Sequence, residues 1–346
     1  MLQSAPSLPD AFEDVEHLEE TITTPNPQVV VDFGGLDGDL IILGVGGKIG
    51  PTLARLAKRA APDKRIIGVA RFSNPAMRPF LEAAGVETIA CDLLDRTAVE
   101  RLPRLDNVVY MAGMKFGAAG DPAQTWAMNV LAPAIVAETF AHARIVAFST
   151  GCVYPFVPVT DGGARDEVPA RPPPGDYANS CLGRERMFEH FSARLATPGR
   201  ILRLNYAIDM RYGVLHDVAT RGRDGETIEL TSGHVNVIWQ GDANAVALRA
   251  LARPTLPTAP LNVTGSETIS VRWLAEQFGQ RLERPPKLTG VEAACGWLSN
   301  PARMLAEFGP PSVPLARMIA WTAEWVAGGK ASHGKPTRYE VRDGRF

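Results

Sequence analysis

The stretch from Asp39 to Gly50, DLIILGVGGKIG, sets the terms for what this chain can become. An apolar run enters a glycine-rich turn, and PTLARLAKRAA continues with helical spacing, Pro51 being tolerated in a first helical turn. Glycine allows a tight turn and clears side chains from the path of a pyrophosphate. The helix start then offers unpaired N–H groups and positive potential. Gly50, the last glycine of the 44, 47, 50 pattern, permits close packing of helix on strand. A glycine string alone says little, so its weight comes from lying between strand and helix.

The alternation continues. KRIIGVAR, VETIACD, DNVVYMAG, ARIVAFSTG and GRILRLNYAID read as further strands, with helices between them around 75–84, 121–142 and 177–196. Such spacing predicts an α/β protein with a doubly wound parallel sheet covered on both faces. QVVVDFGG reads as a short strand ahead of it, and residues 1–28 as a loose arm or a small addition. A proline-rich loop fills 151–176, a length that in a compact domain usually serves function. Later segments, among them HVNVIWQGDANAVALRAL and APLNVTG, predict a smaller α/β region on top of the sheet. The polar end reads as a tail or an edge strand. The expected division is an N-terminal extension at 1–37, a mainly nucleotide-binding part at 38–205, a mainly substrate-binding part at 206–330 with room for return strands, and a tail at 331–346.

A formal net charge of -2 over 346 residues gives no case for nucleic acid or an acidic membrane surface. Cys91, Cys152, Cys181 and Cys295 lack metal-ligand spacing and read as free thiols, so no metal and a cytoplasmic setting are expected. The chain also lacks an apolar run long enough for a membrane span.

The turn residues Gly44, Gly46, Gly47, Lys48, Ile49 and Gly50 are the expected cofactor cradle. At the end of the second strand, an acidic residue would favour NAD; here stands Arg71, which suits the 2'-phosphate of NADP or is an ordinary solvated arginine. The expected cofactor is NAD or NADP, with Arg71 tilting the choice to NADP. Asp92, beside Leu93, either meets adenine or caps the next helix. Ala112 and Gly113 leave room for a cofactor or simply close a strand.

Together these residues resemble the extended short-chain dehydrogenase/reductases, the NAD-dependent epimerase/dehydratase group. The resemblance spans about 38–330. It includes Asn129 at the family's structural asparagine, which with Tyr177 is also counted among the expected cofactor contacts, FSTGCVYP at the strand bearing the assisting hydroxyl, and NVTGSETISVRWLAEQFG at a late strand and helix. It implies a Rossmann-like domain, NAD(P), frequent homodimers, and catalysis by a Ser/Thr, a Tyr and a Lys four residues later. The tyrosine position is Tyr177, the hydroxyl candidates are Ser149 and Thr150, and the lysine position is Cys181.

That departure has physical weight. A phenol is mostly protonated at neutral pH, and lowering its pKa by about three units takes about 4 kcal/mol, which a neutral thiol cannot supply. Arg184, seven residues on, returns to within about 20° of Tyr177 but lies roughly 10 Å along the helix. Lys115, after the fourth strand, is the other candidate cation. A nucleophilic Cys181 is a third reading, set against an inert buried thiol. Tyr154, Asn205, Tyr206, Arg211 and His234 are the candidate substrate contacts, with Arg211 able to clamp a carboxylate or phosphate. The expected activity is hydride transfer on a carbohydrate-like or hydroxy-acid substrate, as oxidoreductase or epimerase. The alternative is a cofactor-binding sensor or regulatory protein.

Overall fold

The computed structural model describes residues 8–115 and 120–343. Its centre is a fully parallel seven-stranded sheet of β1 (Leu40–Leu43), β2 (Ile66–Ala70), β3 (Glu87–Ala90), β4 (Asn107–Tyr110), β5 (Arg144–Thr150), β6 (Gly199–Leu204) and β7 (Ala259–Val263). The strand order is β7-β6-β5-β4-β1-β2-β3. Leu40 lies opposite Ile66 on one side and Asn107 on the other. The chain thus winds outward from β1 in both directions, and the crevice between β1 and β4 is the switch point where such sheets bind ligands. β1 and β4 are buried throughout, as strands covered on both faces must be.

One face packs against α2 (Pro27–Gly34), α3 (Gly50–Ala60) and α10 (Gln240–Ala250). The other packs against α7 (Ala132–Thr139) and Phe188 of α8 (Asp176–Leu195). A second core gathers α9 (Val214–Asp224), α11 (Val271–Arg281) and α13 (Leu315–Ala327) around Trp321 and Trp325, beside the carboxyl edge of the sheet. Two segments expected in that smaller region belong to the main layer. α10 buries Ala243, Ala247 and Leu248 against the sheet, and APLNVTG supplies the edge strand β7.

QVVVDFGG is helical rather than extended. Asn26 accepts a hydrogen bond from the Val29 N–H at 2.9 Å, and Pro27 opens the first turn. Val29 and Phe33, four apart, are buried while Val30 and Val31 are exposed, so a β-branched run conceals a helical stripe. Before it, α1 (Val15–Thr23) places Leu18 and Ile22 in the tryptophan core, while its Glu19 pairs with Arg55 and Arg211. The N-terminal segment is therefore an integral addition, not a loose arm. The C-terminal end forms neither tail nor edge strand through residue 343: Thr337 and Tyr339 are buried. Among the described residues, no helix is long and apolar enough to cross a membrane.

Candidate functional site

Gly44 ends β1 with φ +96°, and a Cβ there would lie 2.5 Å from the Ala112 nitrogen. The turn and the end of β4 are thus pressed together at the switch point. A Cβ at Gly50 would lie 2.1 Å from the Val45 carbonyl oxygen, so this glycine lets the start of α3 close on the turn that leaves β1. Gly47 differs: a Cβ there would meet nothing nearer than 3.8 Å beyond its chain neighbours. Packing does not require glycine at this exposed position, whereas the approach of a pyrophosphate does.

Beside the turn runs a groove of about 370 Å³. Gly44, Gly46 and Gly47 form one wall. Arg71, with Ser73 and Asn74, forms the second, and Asp92, Leu93, Ala112 and Gly113 form the third. Arg71 and Asp92 are exposed into it. Asp92 does not cap the next helix; its carboxylate accepts from the Leu94 N–H, while Asp95 caps by accepting from Ala98 N–H. Gly113 has its own structural reason, since a Cβ would fall 2.3 Å from the Arg184 guanidinium.

Three expected cradle residues lie elsewhere. Ile49 packs on the main core. The Lys48 ammonium stands 3.3 Å over the Tyr212 ring, and burial, reinforced by Lys115 and Lys335, lowers its pKa to about 7. Asn129 is fully used within the protein. Its Oδ1 accepts from the Met114 N–H and Arg184, and its amide donates to the Met114 carbonyl and the Ser180 hydroxyl. Two acceptances and two donations saturate the side chain, which leaves nothing for a cofactor. It sits in a π-helical turn at Ala127–Leu131, between α6 (Pro122–Trp126) and α7, and so clamps the backbone just before Lys115.

Tyr177 lies in the first turn of α8 and is half-buried. Burial holds its phenol well above the ordinary value, while the Arg184 charge and a hydrogen bond with the Thr150 hydroxyl pull it down. Arg184 donates to the Phe148 carbonyl and to Asn129, so it acts on the phenol through its field. The Lys115 ammonium stands 5.7 Å from the centre of the Tyr177 ring. Burial pulls the Lys115 pKa below its usual range. Cys181 is fully buried, and burial pushes its thiol up to about 11. At neutral pH it is an uncharged thiol, which removes the nucleophile reading.

The remaining candidates are held by structural bonds. Ser149 donates to Glu185, which also pairs with Arg203 in a fully buried ion pair. The Tyr154 hydroxyl accepts from Arg203 and donates to Asn262. Arg211 grips Asp209 through two nitrogens and Glu19 through a third, so its forked donors are not offered to a substrate. Asn205 donates to the Trp297 carbonyl. His234 pairs with Ser270 in a two-stranded ribbon and neighbours Glu292. Tyr206, at φ +43°, shares Cys152 as a neighbour with Tyr177 and is the one candidate substrate contact that this neighbour ties to the phenol.

The sequence reading missed the company Tyr177 keeps. Trp297, Cys152 and Val341 pack beside it, and Thr337 accepts a hydrogen bond from Lys115.

Comparison with known proteins agrees with this architecture. Residues 40–208 match the NAD dependent epimerase/dehydratase family. UDP-glucose 4-epimerase of Thermus thermophilus, solved with NAD, shares 20% identity at a TM-score of 0.67, over 84% of this chain and 99% of its own. dTDP-glucose 4,6-dehydratase of Bacillus anthracis, also with NAD, shares 15% at 0.71, over 83% and 96%. UDP-glucuronic acid 4-epimerase of Bacillus cereus shares 15% at 0.69, over 84% and 99%. No curated protein matches at the level of sequence. Over residues 40–208, and in the architecture built around them, this chain carries the fold of the NAD-dependent epimerases and dehydratases.

Proposed function

We propose that the protein is an NAD(P)-dependent oxidoreductase or epimerase that transfers hydride to or from a carbohydrate-like or hydroxy-acid substrate. The observation that carries this reading is the Lys115 ammonium set 5.7 Å from the Tyr177 ring, with Thr150 bonded to the phenol, beside the glycine-turn groove. A loop lysine thus stands in for the cation that the helix lacks at Cys181.

The nicotinamide cofactor, when bound, supplies the hydride donor or acceptor. The chain's own residues do the rest. Gly46 and Gly47 admit the pyrophosphate, and Arg71, in place of an acidic residue, favours a 2'-phosphate and hence NADP. Tyr177 holds the proton at Oη. Its raised pKa keeps the phenol protonated at neutral pH, so that it carries a proton to pass to the alkoxide as a carbonyl is reduced. In the oxidising direction the phenol must act as a base. While it is charged, an ammonium about 6 Å away is worth about 3 kcal/mol to the phenolate at an effective dielectric near 20, which offsets part of the rise that burial imposes on the phenol. Arg184 pulls the phenol the same way through its field.

The nucleotide-sugar substrates of the similar proteins favour a sugar-like substrate. Arg211, the one forked donor expected to hold an anionic group, is consumed by Asp209 and Glu19, which favours a smaller hydroxy compound. The test is NAD(P)⁺ reduction over a panel of nucleotide sugars, polyols, sugar acids and hydroxy acids. Turnover of any member, lost in Tyr177→Phe with cofactor affinity kept, supports the reading. Tight cofactor binding without turnover of any member supports a sensor instead.

A further inference from the structure

The end of the chain returns to the tyrosine. Residues 335–343 run from the glycine turn, where Lys335 adds its charge to Lys48, to the far side of Tyr177, where Val341 packs with Trp297. Arg342 closes the run, 4.0 Å over the Phe156 ring and bonded to the Cys295 carbonyl. Tyr339 is sunk in the tryptophan core, and Glu340 pairs with Arg221. Midway stands Thr337, only 1% exposed. Its N–H and its hydroxyl both donate to one carboxylate oxygen of Asp217, near the start of α9. Its carbonyl accepts from the Lys115 ammonium at 3.0 Å.

We infer that residues 335–343 form a strap in which Thr337, anchored by Asp217, is a positioning residue that holds Lys115 against Tyr177. The inference rests on the reading of Tyr177 and Lys115 above and adds residues outside the expected catalytic set. Lys115 needs such support because it hangs from a loop, not from the helix that carries Tyr177. Asn129 fixes the backbone before it but cannot aim four methylenes. A carbonyl facing the ammonium favours its charged form and sets its direction, while burial alone would disfavour that charge. Asp217 makes the carbonyl a fixed object: its two bonds immobilise Thr337, and charged acceptors make such bonds strong. Lys115 is thus gripped from two sides, by α7's approach turn and by the strap.

The experiment uses the full-length chain with two readouts. One is the labelling rate of the Lys115 amine by acetic anhydride, read by mass spectrometry. The other is steady-state NAD(P)⁺ reduction with the panel above. Asp217→Ala and Thr337→Val should label Lys115 about tenfold faster, as expected for loss of charge-assisted bonds, and lower kcat with KM little changed. Thr337→Ser, which keeps the hydroxyl, should restore both. In a double-mutant cycle, Asp217→Ala should add no further loss to Lys115→Ala, because both remove the same interaction. Labelling that stays as slow as in the unaltered protein overturns the inference. So does a rise in kcat, which would make the strap an inhibitory cover, or losses that multiply, which would make its role merely structural. Should no panel compound be turned over, the catalytic reading fails by itself, and labelling still decides whether the strap holds Lys115. Circular dichroism identifies an unfolded variant. The full-length Asp217→Asn variant, which keeps the shape of the side chain and removes its charge, then repeats the labelling test.

Discussion

The two halves of the crevice are built in opposite ways. The groove beside the glycine turn is lined mainly by residues at or just past the ends of consecutive strands. The tyrosine half gathers Lys115, Thr150, Tyr177, Trp297 and Thr337 from distant parts of the chain. A local half depends on backbone geometry and tolerates changes of side chain at its rim. An assembled half depends on each contact and can move its cation from helix to loop without disturbing the fold. Cofactor binding and chemistry should therefore come apart under mutation.

The largest separation is expected at Tyr177. Tyr177→Phe should lower turnover by roughly 10²- to 10⁴-fold, the usual worth of a general acid–base group, with cofactor affinity unchanged by fluorescence titration. In the other half, Arg71→Glu should reverse cofactor preference by about tenfold or more toward NAD, measured as the ratio of the two dissociation constants, since it replaces an attraction for the 2'-phosphate by a repulsion. A loss of affinity for both cofactors alike would leave Arg71 without a discriminating role.

Lys48 lies between the halves and tests them through pH. Burial lowers its pKa in the folded protein to about 7, from 10.5 for an exposed lysine. Its ammonium lies outside the groove, over the Tyr212 ring, and is charged in the folded protein only below about pH 7, so its longer-range pull on an anionic cofactor at the neighbouring glycine turn weakens as pH rises through that value. The dissociation constant of NADPH should climb by up to about tenfold between acidic and alkaline buffer, and Lys48→Met should flatten the profile. The same shift implies that stability rises with pH between the folded and unfolded values, because there the unfolded chain binds the extra proton.

Smaller effects mark residues whose chemistry is structural. Tyr154→Phe removes a hydroxyl between Arg203 and Asn262 and should cost ~1–3 kcal/mol in denaturant unfolding, with turnover per folded molecule kept. Cys181→Ala should change turnover by less than about twofold, since a neutral buried thiol contributes no charge.

The same contrast explains what was legible. The alternation of strands and helices, the glycine turn and the start of α8 were readable because each depends on neighbours in sequence. Asn129 was recognised as structural by resemblance, yet also assigned to the cofactor. Its four bonds, visible only in three dimensions, remove that role. Arg211 read as an anion clamp because a lone arginine in sequence has no visible partner, and Glu19 reaches it from a segment read as peripheral. Ser149 and Thr150 are adjacent and chemically alike. The alternation of side chains along β5 sends one to Glu185 and leaves the other with the phenol. Nothing in a polar C-terminal sequence announces that its carbonyl will hold a lysine from the other end of the site.

The most direct test compares hydride transfer by Lys115→Ala and Cys181→Ala with that of the unaltered protein, on any substrate from the panel and with cofactor saturating. The account predicts a fall of about 10- to 100-fold for Lys115→Ala, the share of ~3 kcal/mol left after Arg184 and solvent compensate, and almost none for Cys181→Ala. Full activity without Lys115, or its loss without the Cys181 thiol, would contradict it.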